Sequence, residues 1–127
     1  IRFTPEQEML KAAMEARLNT EDFANLRTLA ELAQALDAPR PQVTDMVQAL
    51  QALGVAVALE GGLLIHCEAL ARARTLLSDI LKRDGEITVA EFRTLIGSNR
   101  KCAMALLGYF DAEGLTARRG DVRVLVG

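Results

Sequence analysis

The stretch that decides the fold is SNRKCAMALLGYF, from Ser98 to Phe110, followed by LTARRGDVR, from Leu115 to Arg123. The first segment predicts an α-helix with two cations, Arg100 and Lys101, in its first turn. The second segment predicts a short β-hairpin with a cationic tip, because Gly120-Asp121 is a turn signal. Together they indicate a recognition helix and a wing, and therefore a nucleic-acid reader at the C-terminal end of the chain.

A helical projection of the first segment separates a core-facing stripe from an outward face. The stripe contains Ala103, Leu107 and Phe110. The outward face comprises Lys101, Met104 and Gly108. Ser98 or Asn99 is the expected N-cap, and the free N–H groups, the helix dipole and the cations of the first turn all favour an anion there.

The charges are distributed unevenly along the chain. Residues 1–67 carry five basic and nine acidic residues, whereas residues 68–127 carry ten basic and eight acidic ones. The overall net charge of −2 argues against binding of polyanions over the whole surface. If one end of the chain meets phosphates, it is the C-terminal end.

The composition favours packed helices and excludes several classes of protein. The chain has 127 residues, of which 50% are hydrophobic but only 4% aromatic, so the core is built mainly from aliphatic side chains. Cys67 and Cys102 have no CxxC spacing, and with a single histidine we expect no metal site. No apolar run approaches the ~20 residues of a membrane span. The first residue is Ile1, which suggests a fragment of a longer protein.

The same order of elements is predicted in the first half of the chain. Thr4-Pro5-Glu6-Gln7 opens a helix with a capping box, and a short second element is expected over 21–25. The apolar face of the first helix is expected to contain Met9, Leu10, Ala13, Met14 and Leu18. A helix over 28–36 and an amphipathic helix closed by Gly54 follow. The buried positions expected in the latter are Val43, Met46, Val47, Leu50 and Leu53. Glycines at 61 and 62 then predict a hairpin between 55–59 and 63–65.

The same order of predicted helices and hairpin occurs twice in the sequence, with a shift of sixty residues. The shift places Ala30-Glu31-Leu32 on Ala90-Glu91-Phe92 and Gly54 on Gly114. The first helix of the second copy is expected over 67–83, with Leu70, Ala73, Leu77, Ile80 and Leu81 buried. We therefore predict a mostly α-helical fold with small hairpin wings: two tandem winged-helix domains, 1–66 and 67–127. The junction lacks a Pro/Gly/Ser linker, so we expect a rigid pair.

The first copy lacks the cations of the second. Its equivalents of the helix start are Pro39, Arg40 and Pro41, and its wing tip carries Glu60. Residues 1–66 are thus expected to form a spacer or a protein-contact domain. Cations at a helix start and on a wing are also common on a surface that binds no ligand. Spacing alone therefore leaves open the interpretation that these cations are merely solvated. Cys102 follows Lys101, but no base and orienting carboxylate accompany it, and no catalytic residue is predicted.

The second copy resembles the last winged-helix domain of the bacterial selenocysteine-specific elongation factor, SelB. The resemblance covers about forty residues closely and is architectural over residues 1–80, since tandem winged helices precede the last one in that family. The segments that carry it are Ile87 to Arg93, Gly97-Ser98, Arg100-Lys101, Tyr109 to Asp111, Gly114 to Thr116 and Gly120 to Leu125.

The resemblance implies an RNA-binding module that holds the selenocysteine insertion (SECIS) hairpin of an mRNA and so directs selenocysteine incorporation at UGA. It implies a monomeric cytoplasmic protein that is no enzyme in this part. GTP and Mg²⁺ would belong to an N-terminal part, since no P-loop occurs here, and that part would bring selenocysteinyl-tRNA to the ribosome. By this resemblance, Arg100, Lys101, Arg118 and Arg123 would contact RNA, with Ser98 and Arg93 supporting. Asn99 at the helix start and Arg119 on the wing are further candidate RNA-binding residues from the residue pattern itself.

The sequence departs from the family pattern at Cys102, Gly108 and Ala117, which replace an aromatic, an acidic and a basic residue. Arg119 adds a cation close to Ala117. Two other functions stay open on sequence grounds. One is a DNA-binding winged-helix regulator, and the other is a protein-interaction module, which the acidic first copy favours.

Overall fold

The computed structural model describes residues 2–126, which form two units of the same element order. The helices and strands of the first unit, residues 2–66, are α1 (Pro5–Leu18), β1 (Arg27–Thr28), α2 (Leu29–Leu36), α3 (Arg40–Ala52), β2 (Ala56–Ala58) and β3 (Leu63–His66). Those of the second unit, residues 67–126, are α4 (Cys67–Asp84), β4 (Ile87–Thr88), α5 (Val89–Leu95), α6 (Arg100–Ala112), β5 (Thr116–Arg119) and β6 (Val122–Leu125).

Each unit has a small antiparallel sheet, with the orders β1-β3-β2 and β4-β6-β5. The sixty-residue shift carries the bounds of β1 onto β4 and those of α3 onto α6 without adjustment. The helix-helix-helix-hairpin order with three short strands is the winged-helix fold, so the predicted fold class is confirmed. The strands β1 and β4 were not predicted, because two residues cannot show a period.

Threonines start the helices where the sequence places them. Thr4, Thr28 and Thr88 each accept a hydrogen bond from the backbone N–H three residues on, and the threonine N–H in turn donates to the side-chain oxygen of that residue. These reciprocal bonds satisfy N–H groups that the helix itself leaves free. The repeated Thr28 and Thr88 caps therefore fix the entry of α2 and α5 in the same way.

The two units share one apolar cluster. Phe23, Leu26 and Leu59 of the first unit are buried in the same cluster as Phe92 and Phe110 of the second. The junction adds no linker, since β3 ends at His66 and α4 begins at the next residue. The first unit also has a core of its own, which includes Met14, Leu32, Val43, Leu50 and Leu64.

The structure differs from the sequence-based expectations at the turn that follows α1 and at several side chains of α1 and α3. Residues 21–25, for which the sequence indicated a short element of unstated type, form a turn, since Asp22 accepts a hydrogen bond from the N–H of Ala24 through its side chain and one from the N–H of Asn25 through its carbonyl. Met9 is 75% exposed and Ala13 is exposed, because the contacts of α1 run along Met14 and Leu18. Leu53 is also exposed, because it lies beyond the last turn of α3 as its C-cap.

Candidate nucleic-acid interface

The recognition helix is α6, and Asn99 is its N-cap, with the side-chain Oδ1 accepting a hydrogen bond of 2.8 Å from the N–H of Cys102. The predicted stripe of Ala103, Leu107 and Phe110 is fully buried. The buried surface is wider than predicted, however. It also includes Cys102 and Ala105, because the first unit covers a second side of the helix.

The start of α6 is fastened to the turn of residues 22–25 in the first unit. The Ser98 hydroxyl donates a hydrogen bond of 2.8 Å to the carbonyl of Phe23, and the Asn99 amide Nδ2 donates one of 2.9 Å to the carbonyl of Ala24. The Cys102 thiol lies 3.8 Å from the Ala24 carbonyl and donates to it. The side chains of Ser98 and Asn99 are therefore engaged with the protein itself.

Acidic side chains of the first unit also lie next to α6, on the side of the helix that contains Gly108. A Cβ added to Gly108 would lie 3.1 Å from Oε2 of Glu60, which comes from the 3-10 turn Glu60–Gly62. The pKa of Glu31 is lowered first by its hydrogen bonds with Thr28 and further by the positive charge of Lys101. The outward face at Gly108 is thus occupied by the first unit and is not an open path for a phosphate backbone.

The wing, β5 and β6, carries its arginines on two different faces. Arg118 and Arg123 are directly opposite each other in the register, so they share the face that lies toward α6. Arg119 follows Arg118 in the strand and therefore points from the other face, which it shares with Ala117. Arg118 and Arg119 are both exposed.

Arg123 is a buried member of a polar network and not an exposed cation. It is only 5% exposed, and its Nε and Nη2 donate to Oδ2 of Asp111 at 3.2 and 3.1 Å. The hydroxyl of Thr116 donates to the other carboxylate oxygen of Asp111 at 2.6 Å. This network ties both strands of the wing to the last turn of α6.

A concave site of about 240 Å³ opens between the recognition helix, the wing and the start of α5. Its lining residues are Thr88, Val89, Ala90, Arg100, Met104, Arg118, Asp121 and Arg123. The lining combines guanidinium donors, one carboxylate acceptor at the wing tip and the thioether of Met104. Such a lining can bind a phosphate or the polar edge of a base.

The structure brings together some of the predicted cations and separates others. Arg100 and Arg118 line the concave site, whereas Lys101 lies toward the first unit and Arg93 and Arg119 are exposed outside the site. Within residues 2–126, none of these five side chains is within ion-pair distance of a carboxylate.

Sequence reasoning assigned no role at this surface to two carboxylates, Asp111 and Glu60. Asp111 had a usable signal, because Arg123 occupies an inward position of a strand and a buried arginine requires a carboxylate. The contact of Glu60 with Gly108 had none, since it joins elements of different units.

In the described part of the chain, no helix has the length and apolarity needed to cross a bilayer. The same residues contain no group of three or more His, Cys, Asp or Glu side chains that could hold a metal ion.

The fold and this surface define a tandem winged-helix protein whose second unit presents a cationic helix and wing. Residues 79–125 match the family model described as "Elongation factor SelB, winged helix". The resemblance of the second unit to SelB is thereby confirmed.

The fold is similar to that of two solved structures. The mRNA-binding domain of elongation factor SelB from E. coli, solved in complex with SECIS RNA, is 22% identical with a TM-score of 0.81, and the match covers 98% of this chain and 100% of that one. A bacterial selenocysteine-specific elongation factor, EF-Sec, is 18% identical with a TM-score of 0.72. This match covers 98% of the present chain but only 19% of EF-Sec. No curated protein sequence matches the chain.

Proposed function

We propose that this chain is the RNA-binding module of a selenocysteine-specific elongation factor and that it recognises a SECIS hairpin in an mRNA. The observation that carries the proposal is the concave cationic site between α6 and the wing, in a segment that matches the SelB winged helix. The E. coli domain with the same fold was solved with SECIS RNA, which supports the same ligand class here.

The proposed division of labour places the RNA contacts in residues 67–127 and a supporting role in residues 1–66. Arg100 and Arg118 are the proposed contacts inside the concave site, and the exposed Arg93, Lys101 and Arg119 add phosphate contacts around it. Arg123 acts through Asp111 by holding the wing on α6.

The shape of the site favours an RNA loop or bulge over a regular duplex. The A-form major groove is too narrow for side chains to read, so sequence-specific proteins bind unpaired bases that stack on flat groups and expose their polar edges. Arg100, Arg118 and Asp121 offer both donors and an acceptor at one concave surface. One unpaired base with an adjacent phosphate is therefore the proposed occupant.

The remaining parts of the proposal concern the whole protein. The module itself is not an enzyme and acts as a monomer in the cytoplasm. GTP, Mg²⁺ and selenocysteinyl-tRNA would be bound by a different part of a longer factor, which delivers the tRNA to the ribosome. The length of EF-Sec, of which this chain covers 19%, is compatible with such a part.

The repeat supplies a matched control for the test. Arg100 and Arg40 are both exposed first residues of equivalent helices, but only Arg100 lines the concave site. Arg100→Ala is expected to weaken binding of a SECIS-type hairpin by at least ~1 kcal/mol, the lower end for a specific contact, whereas Arg40→Ala leaves affinity unchanged. Equal affinities for both variants and the wild type would contradict the proposal.

A further inference from the structure

The turn of residues 22–25 lies against the start of the recognition helix, and it presents two backbone carbonyls to donors of the second unit. Ser98 and Asn99 provide the short hydrogen bonds, at 2.8 and 2.9 Å, to Phe23 and Ala24. We propose that Ser98 and Asn99 are positioning residues: through this turn, the first unit holds the recognition helix in the orientation that reads RNA. The inference rests on the proposed function and assigns residues 1–66 a part in it.

The side-chain amide of Asn99 makes two hydrogen bonds. Its Oδ1 accepts the N–H of Cys102 and caps α6, while its Nδ2 donates to the carbonyl of Ala24. The Ser98 hydroxyl has one proton, and its shorter contact is the one to Phe23, against 3.2 Å to the carbonyl of Asn99. The hydroxyl proton of Ser98 and one N–H of the Asn99 amide are therefore used within the protein. What they control is the placement of the next residue, Arg100.

The first unit shows that this arrangement is not a general property of such a helix start. The residues equivalent to Ser98 and Asn99 are Ala38 and Pro39, neither of which has a side-chain donor. Pro39 also makes no capping hydrogen bond through its side chain. The two donors occur only in the unit whose recognition helix meets another unit.

The apolar contacts beneath these hydrogen bonds bury surface between the two units but do not fix the orientation of α6. Phe23 and Leu26 are 5% and 7% exposed and belong to one cluster with Cys102 and Ala105. Apolar contact is non-directional, whereas hydrogen bonds to two consecutive carbonyls fix an orientation. When only a fraction of molecules has the reading orientation, the apparent affinity falls to that fraction of its full value.

The test uses a double variant that keeps the N-cap of α6 and removes the hydrogen bonds to the carbonyls of Phe23 and Ala24. Serine caps a helix about as well as asparagine, but its hydroxyl cannot both accept from Cys102 and reach Ala24. Ser98→Ala with Asn99→Ser therefore removes the two short inter-unit hydrogen bonds and adds no charge. The ligand is the tightest-binding member of a hairpin RNA library with a randomised loop and bulge. We expect about tenfold weaker binding, corresponding to a reading fraction of about one tenth.

The salt dependence separates positioning from direct contact. The slope of log K against log salt reports the number of phosphates neutralised, and it should be unchanged in the double variant. Arg118→Ala, the control for direct contact, should lower the slope by about 1. A double variant with wild-type affinity, or with a slope lowered as in Arg118→Ala, would overturn the inference. If the double variant does not fold, Ser98→Ala and Asn99→Ser are measured singly by the same criteria.

The reaction rate of the Cys102 thiol reports directly on the contact between the turn of residues 22–25 and α6. Cys102 is 2% exposed and lies under the Ala24 carbonyl, so it should react slowly with a disulfide reagent in a Cys67→Ser background. Loosening of the turn should raise its reaction rate several-fold in the double variant. An unchanged rate would contradict the positioning role. A wild-type protein that binds no hairpin would instead contradict the proposed function, which the thiol rate does not depend on.

Discussion

Gly108 gives a direct test of how the first unit lies on the recognition helix. Alanine at this position removes the conformational cost of glycine within a helix, a gain of about 1 kcal/mol in the free energy of unfolding. The added Cβ would lie 3.1 Å from Oε2 of Glu60, which is tight. Glu60 is exposed and its carboxylate can move by the few tenths of an ångström required, so we expect Gly108→Ala to stabilise the protein by about 0.5–1 kcal/mol.

Glutamate at position 108 should behave differently, although its helix propensity is close to that of alanine. Its carboxylate would lie near that of Glu60, and two like charges about 4 Å apart in water repel by about 1 kcal/mol. We therefore expect Gly108→Glu to be less stable than Gly108→Ala by about 1 kcal/mol at low salt.

Urea unfolding followed by circular dichroism measures both variants, alone and combined with Glu60→Gln. Glu60→Gln should remove most of the difference between Ala and Glu at position 108, since the repulsion is lost. Equal stabilities of Gly108→Ala and Gly108→Glu in the presence of Glu60 would refute the placement of the first unit's wing against α6.

Three further predictions concern the wing, a helix cap and the junction. Arg123→Met should cost about 2–3 kcal/mol in urea unfolding, because it leaves the partly open carboxylate of Asp111 without its cation. Thr88→Ala should cost about 1 kcal/mol in the same assay through loss of the capping box, and Thr88→Ser should restore most of it. Hydrogen bonds from Lys11 and then from His66 hold the pKa of Glu15 below its usual range. Stability from Glu15 is thus present above about pH 4.5 and is lost as the pH falls, so Glu15→Gln should lose less stability than the wild type between about pH 6 and pH 3. A parallel decline of the two proteins in unfolding measured across that range would contradict this assignment.

Local signals were enough to predict the main elements of the fold. The helical periods and the glycine that closes the recognition helix repeat after sixty residues, and the helices and hairpins form where the local signals place them. For residues 21–25 the local pattern indicated a short element without its type, and the side-chain hydrogen bonds of Asp22 make this segment a turn.

The candidate site could be predicted only in part, because its geometry depends on contacts between distant residues. Arg100 and Arg118 were identified from sequence, and the structure brings them to one concave site. The engagement of Ser98 with Phe23 spans 75 residues, and no periodicity reports it.

The same explanation covers two departures from the SelB pattern. Cys102 is buried, and its thiol lies 3.8 Å from the Ala24 carbonyl of the first unit. Gly108 lies under the carboxylate of Glu60. Nothing in the structure explains why Ala117 replaces a basic residue.

The most direct test of the central claim is a competition between RNA and DNA at equal salt. Wild-type protein bound to a labelled hairpin RNA with a loop and a bulged base is titrated with unlabelled hairpin and, separately, with duplex DNA of equal length. We expect the hairpin to displace the labelled RNA at a far lower concentration than the duplex does, with an affinity that falls as salt rises. Equal or better displacement by duplex DNA would contradict it and favour a DNA-binding regulator, and salt-insensitive binding would contradict a cationic reading surface.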